Sequence, residues 1–453
     1  MLPADGKKKP SLNRSLGFFQ AVMYGVGLIL GAGIYVLIGD VAAIAGNAMW
    51  ISFLIAAVIA TFTGLSYAEL SSMYPKSAAE YMFVKNAFNN NLAAFVAGWL
   101  ITVVAIVSAA AVAMGFSAYI TLFIPQVTPL ISAMALVGVL SAVNFIGIKE
   151  SAWMNTSFTI VELAGLAIII MAAVLLGSFA TNFYEVPPAV SGSLALSIGG
   201  IMGAVGLVFF AYFGFENLAN LSEETKNAHK TIPRALLMSI LITTVIYMAI
   251  AISAISLVGW EELASSKAPL ALVAEKGFGT VGVIILSIIA LFATSNTVLM
   301  MLVAASRIMF GMAREHALHP VLARVHARRK TPWISVSATM LITMGVIAFS
   351  SGSISAVANV AVFVIFIVYA LVNLALIWLR YSRPNLERPF RSPATIGWFP
   401  VLAGLGLATS LAMLTQFDPL TMVAGISTIG AGLAGYAITD RYRNRHETSK
   451  NAR

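Results

Sequence analysis

Gly31-Ala32-Gly33 and Ala211-Tyr212-Phe213-Gly214-Phe215-Glu216 break two long apolar runs at mid-length, the first and the sixth along the chain. Glycine and unpaired backbone are costly in hydrocarbon unless they line a protected cavity. Interruptions at matching places in two halves of a chain therefore point to a ligand site between them. Taken singly, either break also reads as glycine that lets helices pack closely, since small-xxx-small patterns are common in membranes. Their equivalent placement favours the cavity.

Outward from these breaks, the chain is built for a bilayer. Of its 453 residues 59% are apolar and 10% charged, against roughly 25% charged in soluble proteins. Windows of about 20 apolar residues, each able to cross ~30 Å of hydrocarbon, fall at 17–38, 50–70, 93–123, 131–148, 153–178 and 198–219. A second set falls at 234–258, 280–313, 333–350, 355–379, 397–416 and 419–439. The expectation is an all-α polytopic membrane protein with 12 transmembrane helices.

Cytoplasmic segments retain Lys and Arg. With the N-terminus inside, all 27 of these residues except Lys267 and Lys276 are cytoplasmic, which puts both termini in the cytoplasm. Because the basic residues are spread over many loops, the net charge of +9 reads as topology and attraction to lipid headgroups, not as a nucleic-acid surface. The chain has no cysteine, so disulfide and thiol chemistry are excluded. The N-terminal apolar run outlasts a signal peptide and lacks a small-residue cleavage site, so it reads as a retained first span.

Between tails at 1–16 and 441–453, the first five spans (17–178) and the next five (198–380) read as two copies of one unit. An odd number of crossings inserts the copies in opposite orientations. Both first spans carry the break after a Gly-xxx-Gly (Gly27 with Gly31, Gly199 with Gly203), and the third spans are the two longest. The last two spans, 397–440, stand outside the repeat, as a peripheral pair or an oligomer contact.

Each break comes about 14 residues into its span, or ~21 Å of helix, near the membrane middle. An unwound stretch frees carbonyls at the end of one half-helix and amides at the start of the next, with negative and positive partial charge. A zwitterion fits such a site without any buried charged side chain. Its carboxylate takes the amides of Ala32, Gly33 and Ile34, and its ammonium the carbonyls of Ile29, Phe210, Ala211 and Phe213.

Ionisable residues inside spans are functional candidates by default. Glu162 lies nine residues past Trp153, roughly 13 Å deep, with no Lys or Arg nearby in sequence. A carboxylate is hard to keep charged there, so it reads either as a proton carrier or as a hydrogen-bonded tie between helices. Glu216, directly after the second break, reads as a latch or amine contact, or as a cap on freed amides. Glu69 ends the second span and reads as solvated. Thr294 and Ser295, next to Asn296, can complete a sodium shell or back-bond to their own helix. The histidines fall in loops and the tail without metal spacing, no nucleotide-binding loop is present, and no nucleophile is paired with a base. An enzyme is not expected, nor any cofactor.

Several motifs resemble the amino acid-polyamine-organocation superfamily, in its amino acid permease branch that includes cationic amino acid transporters. They are Leu12-Asn13-Arg14-Ser15-Leu16-Gly17 with Gly31-Ala32-Gly33-Ile34-Tyr35, Tyr67-Ala68-Glu69-Leu70 with Tyr74-Pro75-Lys76-Ser77, and Asn144-Phe145-Ile146-Gly147-Ile148-Lys149. Phe213-Gly214-Phe215-Glu216 with Glu223-Glu224 and Lys226-Asn227 through Ile232-Pro233-Arg234-Ala235 is similar to the sixth-helix signature. Ala305-Ser306-Arg307 and Met312-Ala313-Arg314-Glu315 are similar to the end of the eighth.

The resemblance implies a LeuT-type 5+5 inverted repeat with discontinuous helices 1 and 6, alternating access around them, and Phe210 as an aromatic gate. It implies secondary active transport of an amino acid across the cell membrane, coupled to protons or working by exchange. Two features depart from the family. Several proton-coupled relatives carry a lysine near the position of Glu162, and the family favours a glycine pair where this chain has Ser77-Ala78-Ala79. A carboxylate at 162 is either protonated itself or helps Thr294 and Ser295 hold sodium. Rival readings are a polyamine or organic-cation carrier and, in another class, a non-transporting sensor or a channel. The absence of acidic residues from the third and eighth spans favours neutral amino acids.

Overall fold

Long runs of Leu, Ile, Val, Ala and Gly satisfy their backbone internally by coiling, the solution that hydrocarbon permits to a chain without a closed barrel. A computed structural model of the chain describes residues 12–177, 180–266, 268–349 and 354–451, with the side chains of 32, 36, 354–357, 438 and 441–451 left aside. Residues 1–11 and Lys267, on which part of the charge argument rests, lie outside that set.

The helices are α1 (Phe18–Ala45), α2 (Met49–Met73), α3 (Ala79–Phe88), α4 (Asn91–Phe123), α5 (Pro129–Ile146), α6 (Ile148–Leu176) and α7 (Leu194–Tyr212). After a 3-10 segment, Phe215–Glu224, come α8 (Ala228–Leu257), α9 (Trp260–Ser265), α10 (Pro269–Arg314), α11 (Trp333–Phe349), α12 (Ile354–Ser382), α13 (Val401–Leu414) and α14 (Pro419–Asn451). A two-residue hairpin, Thr395–Ile396 against Phe399–Pro400, joins α12 to α13. Local chemistry sets the helix starts: the Asn90 side chain accepts from the Leu92 and Ala93 amides, Ser193 accepts from Leu196, and Pro129 and Pro269 open their helices.

Among the described residues ten stretches are long and apolar enough to cross a membrane, and the two shorter apolar helices are α11 and α13. The chain is a multi-pass helical membrane protein. Both quoted stretches are true breaks. Gly31 sits at φ 20°, ψ −148° within α1, and α7 ends at Tyr212 before Gly214 at φ 124°. Those angles suit a residue without a Cβ. Around them α1 packs on α7, α8 and α10, and α10 packs on α4 and α6.

The Lys/Arg-rich end is tied shut by acids and bases. Arg307 of α10 is fully buried and meets Glu224 through Nε at 3.0 Å and Nη2 at 3.2 Å. Leu16, just before α1, donates to the Glu224 carbonyl at 3.0 Å and accepts from Lys226 at 2.8 Å, so the two broken helices share one strap. Lys85 pairs with Glu315 at 3.0 Å, and Arg314 pairs with Glu223. At the other end α9 lies on α1, where a Cβ at Gly39 would meet Pro269 at 2.7 Å and the Leu263 carbonyl at 2.8 Å. There Asn47 donates to the Asn182 carbonyl at 3.1 Å and to Glu185 at 3.0 Å, and Trp50 donates to the Phe183 carbonyl at 3.0 Å.

One sequence expectation needs correction. Glu69 is not solvated but fully buried, bound by Arg380 of α12 at 2.8 and 2.6 Å and by the Ser392 amide at 2.8 Å. Its partner comes from 311 residues along the chain, beyond the reach of local reading. The two Gly-xxx-Gly patterns are also unequal. Gly27 faces Asn296 and Asn155 closely, whereas Gly199 has nothing within 4 Å of an added Cβ.

Candidate functional site

The broken helices touch at Gly33 and Ala211. A Cβ at Gly33 would lie 2.7 Å from the Ala211 Cα and 2.9 Å from its Cβ, so glycine is what lets the second half of α1 reach the end of α7. Gly31 faces the Thr297 hydroxyl of α10. Ile34 is buried beside them, and Ala32 is described by its backbone alone. Phe210 is half-buried and its ring leans on Phe213, with centroids 6.0 Å apart.

The carbonyls freed by the breaks converge on one side chain. Tyr247 of α8 is fully buried, and its hydroxyl lies 2.5 Å from the Ile29 oxygen, 2.9 Å from that of Ala211 and 3.2 Å from that of Leu30. A hydroxyl carries one proton. Three carbonyl oxygens from both breaks thus meet at one hydroxyl. Ile29 and Ala211, which the sequence singled out as ammonium acceptors, are brought together. The carbonyls of Phe210 and Phe213 are not part of this convergence.

Glu162 is fully buried on α6, and neither carboxylate oxygen has a hydrogen-bond partner among the described residues. The reading of Glu162 as a hydrogen-bonded tie between helices has no bond to support it.

The Thr294 hydroxyl donates to its own helix, at the carbonyls of Ala290 (2.7 Å) and Leu291 (3.2 Å). Ser295 is buried next to it. Asn155 and Thr159 of α6 and Asn296 of α10 surround Gly27, with Asn296 donating to Thr159 at 3.1 Å. Both polar atoms of the Asn155 side chain and Oδ1 of Asn296 have no hydrogen-bond partner among the described residues.

Glu216 joins the two roles read for it. It accepts the freed Gly214 amide at 3.0 Å and the Asn217 side chain at 2.8 Å, and it accepts the Tyr369 hydroxyl of α12 at 2.7 Å. Its oxygens thus cap the break and latch it to a neighbouring helix, and neither is directed at the carbonyl cluster.

Tyr247, Thr297, Asn155 and Thr159 escaped the sequence reading. Asn155, Thr159 and Glu162, at i, i+4 and i+7, form a polar stripe on one face of α6, and that spacing was the available signal. A tyrosine in an apolar run carries none.

The sequence profile of a family described as amino acid permease matches residues 16–431. The chain is 28% identical to the branched-chain amino acid permease BcaP of Bacillus subtilis, over 96% of this chain and 95% of that protein. It is 28% identical to the methylthioribose transporter of the same bacterium, over 97% and 96%. To human cationic amino acid transporter 4 it is 28% identical, over 75% of this chain and 56% of that one. These relatives are transporters, not enzymes. Broken helices that meet in an apolar bundle, and a profile match over nearly the whole chain, lead to one assignment: this chain belongs to the amino acid permease family of the amino acid-polyamine-organocation superfamily.

Proposed function

We propose that the chain is a secondary active transporter of a neutral amino acid, working by alternating access around the breaks in α1 and α7. The observation that carries this reading is the convergence of the Ile29, Leu30 and Ala211 carbonyls on one hydroxyl. An ammonium group brings three N–H donors where Tyr247 brings one, so an α-ammonium can meet all three carbonyls at once. The α-carboxylate takes the amides of Ala32, Gly33 and Ile34 at the positive end of the second half of α1. Glu216 stays at its cap and latch. The branched-chain permease among the relatives and the lack of acidic residues in α4 support a neutral side chain.

In this reading the chain crosses the cell membrane twelve times as two inverted repeats, 17–178 and 198–380, with a further pair at 397–440. The Lys/Arg-rich end and both termini face the cytoplasm. Glu162 carries the coupling proton, because a buried acid with no bonded partner gains most from protonation. A second reading, sodium coupling, is favoured by the unpartnered oxygens of Asn155 and Asn296 beside Gly27.

A thermal-shift screen of the purified protein against amino acids and polyamines, at two pH values and with and without sodium, tests these readings. A ligand at a hundred times its Kd stabilises by about 2.7 kcal/mol. Stabilisation by neutral amino acids is expected. A response to polyamines alone would replace the substrate, and a response that requires sodium would replace the proton.

A further inference from the structure

The cytoplasmic end holds a buried acid that the transport reading does not use. Glu80 opens α3, a short helix outside the membrane-crossing stretches, and has no exposed surface. Asn220 of the 3-10 segment clamps it. The Asn220 Nδ2 donates to Oε2 at 3.1 Å and Oε1 at 3.4 Å, while its Oδ1 accepts the Ala79 amide at 2.7 Å. From α2 the Tyr67 hydroxyl donates to Oε1 at 3.2 Å.

The other groups that face Glu80 do not neutralise it. The 3-10 segment offers Glu216, a like charge, and α12 offers Tyr369. α4 has no charged residue. Lys85, on the same helix, is taken by Glu315, and Glu69 of α2 and Arg380 of α12 are taken by each other. Burial pushes the Glu80 carboxyl up to about 7, with Glu216 adding to the rise and the Asn220 and Tyr67 donors opposing it.

We propose that Glu80 is a proton-binding latch of the cytoplasmic gate, taking up a proton from the cytoplasm when Asn220 closes onto α3 and returning it there when they part. The inference rests on the alternating-access reading, in which the 3-10 segment must leave α3 for the cytoplasmic side to open. The protonated acid gives its O–H to the Tyr67 oxygen and still accepts from Asn220, so the clamp survives protonation. Parting the clamp admits water and returns the carboxyl toward its ordinary value of 4.5. The closed gate is then the form that binds more protons, and low pH favours it. Opening grows by up to about tenfold per pH unit between those two values and levels off above about 7. The proton comes from and returns to the same side, so Glu80 regulates access without moving charge across the membrane.

The chain's lack of cysteine allows a direct test. Ala219→Cys places one thiol at a buried position of the 3-10 segment. Its labelling by an impermeant maleimide is followed in inside-out vesicles, relative to the same protein unfolded in detergent at each pH. The normalised rate should climb steeply from pH 5 to about 7 and then level. It should lose that slope in Glu80→Gln, and its midpoint should move to higher pH in Tyr67→Phe, which lacks one donor to the carboxylate. A flat profile in the Ala219→Cys protein, a slope retained in Glu80→Gln, or an unmoved midpoint in Tyr67→Phe overturns the latch. Saturating L-leucine is added as a separate arm. A rate that leucine leaves unchanged counts against alternating access for a neutral amino acid, whereas a leucine effect without a pH effect removes the latch alone.

Discussion

Gly33→Ala is the smallest change that tests whether the two breaks form one site. The new methyl carbon would sit 2.7 Å from the Ala211 Cα, a backbone atom that cannot rotate aside. Ordinary contact needs 3.4–4 Å, so α1 and α7 must separate there by roughly 0.7–1.3 Å. The Ala211 oxygen moves with α7, and the Ile29 and Leu30 oxygens stay with α1. Acceptors now 2.9 and 2.5 Å from a common centre can then no longer both be reached by one ammonium, since a hydrogen bond stretched by about 1 Å lies beyond bonding range. Losing one hydrogen bond to a charged group costs about 1.5–3 kcal/mol, or roughly 10- to 150-fold in Kd. Binding of tritiated leucine by scintillation proximity measures this. Gly199→Ala on α7, with nothing within 4 Å of the added carbon, is the control and should bind like the parent. Equal affinity of Gly33→Ala and the control would refute a site shared between the breaks.

Tyr247→Phe removes the one donor among three carbonyls, so the empty protein should melt at a lower temperature while the increment added by saturating leucine grows; two unchanged quantities would remove the tyrosine from the site. Glu162→Gln should abolish accumulation driven by a pH gradient in proteoliposomes and leave substrate exchange intact, and undiminished pH-driven uptake would end the coupling role. Arg307→Ala strands the buried Glu224 and should cost about 3–5 kcal/mol, seen as a large fall in thermal midpoint. Arg314→Ala opens the partly exposed pair with Glu223 and should cost no more than about 1 kcal/mol.

The breaks were legible because glycine in a hydrocarbon-spanning run is a backbone statement, and Gly31 and Gly214 carry the conformation that their residue type announces. Helix polarity points to the carbonyls of Ile29 and Ala211, which the fold brings to one hydroxyl, and equally to those of Phe210 and Phe213, which it does not. What closes over the first pair was not legible. Tyr247 is 218 residues from Ile29 and 36 from Ala211, and nothing in an apolar run distinguishes a tyrosine that reaches a backbone from one that faces lipid. Glu69 reads as solvated for a related reason: its counter-charge, Arg380, stands in sequence at the edge of a basic loop. Position along a single helix gives depth, whereas burial is decided by the helix packed alongside. At Thr294 the hydroxyl takes the back-bonded of the two roles open to it, while Asn296 and Thr297 are the residues of α10 that face α1.

The distribution of unmet hydrogen-bonding capacity divides labour within the bundle. The carbonyls of Ile29, Leu30 and Ala211 gather around one hydroxyl, and in the proposed reading a ligand with several donors binds there. The Glu162 carboxylate sits on a different element, α6, a continuous helix, so in the proposed reading its protonation alters the field at the site without altering the backbone that binds. Glu80 and Glu216, by contrast, are fully engaged with the 3-10 segment, the piece that must travel when the cytoplasmic side opens. In the proposed reading, a proton on Glu162 changes how strongly the site holds a cation, whereas a proton on Glu80 changes whether the gate moves. That separation explains why Glu162→Gln and Glu80→Gln are expected to fail in different assays: the first in gradient-driven uptake, the second in the pH dependence of access.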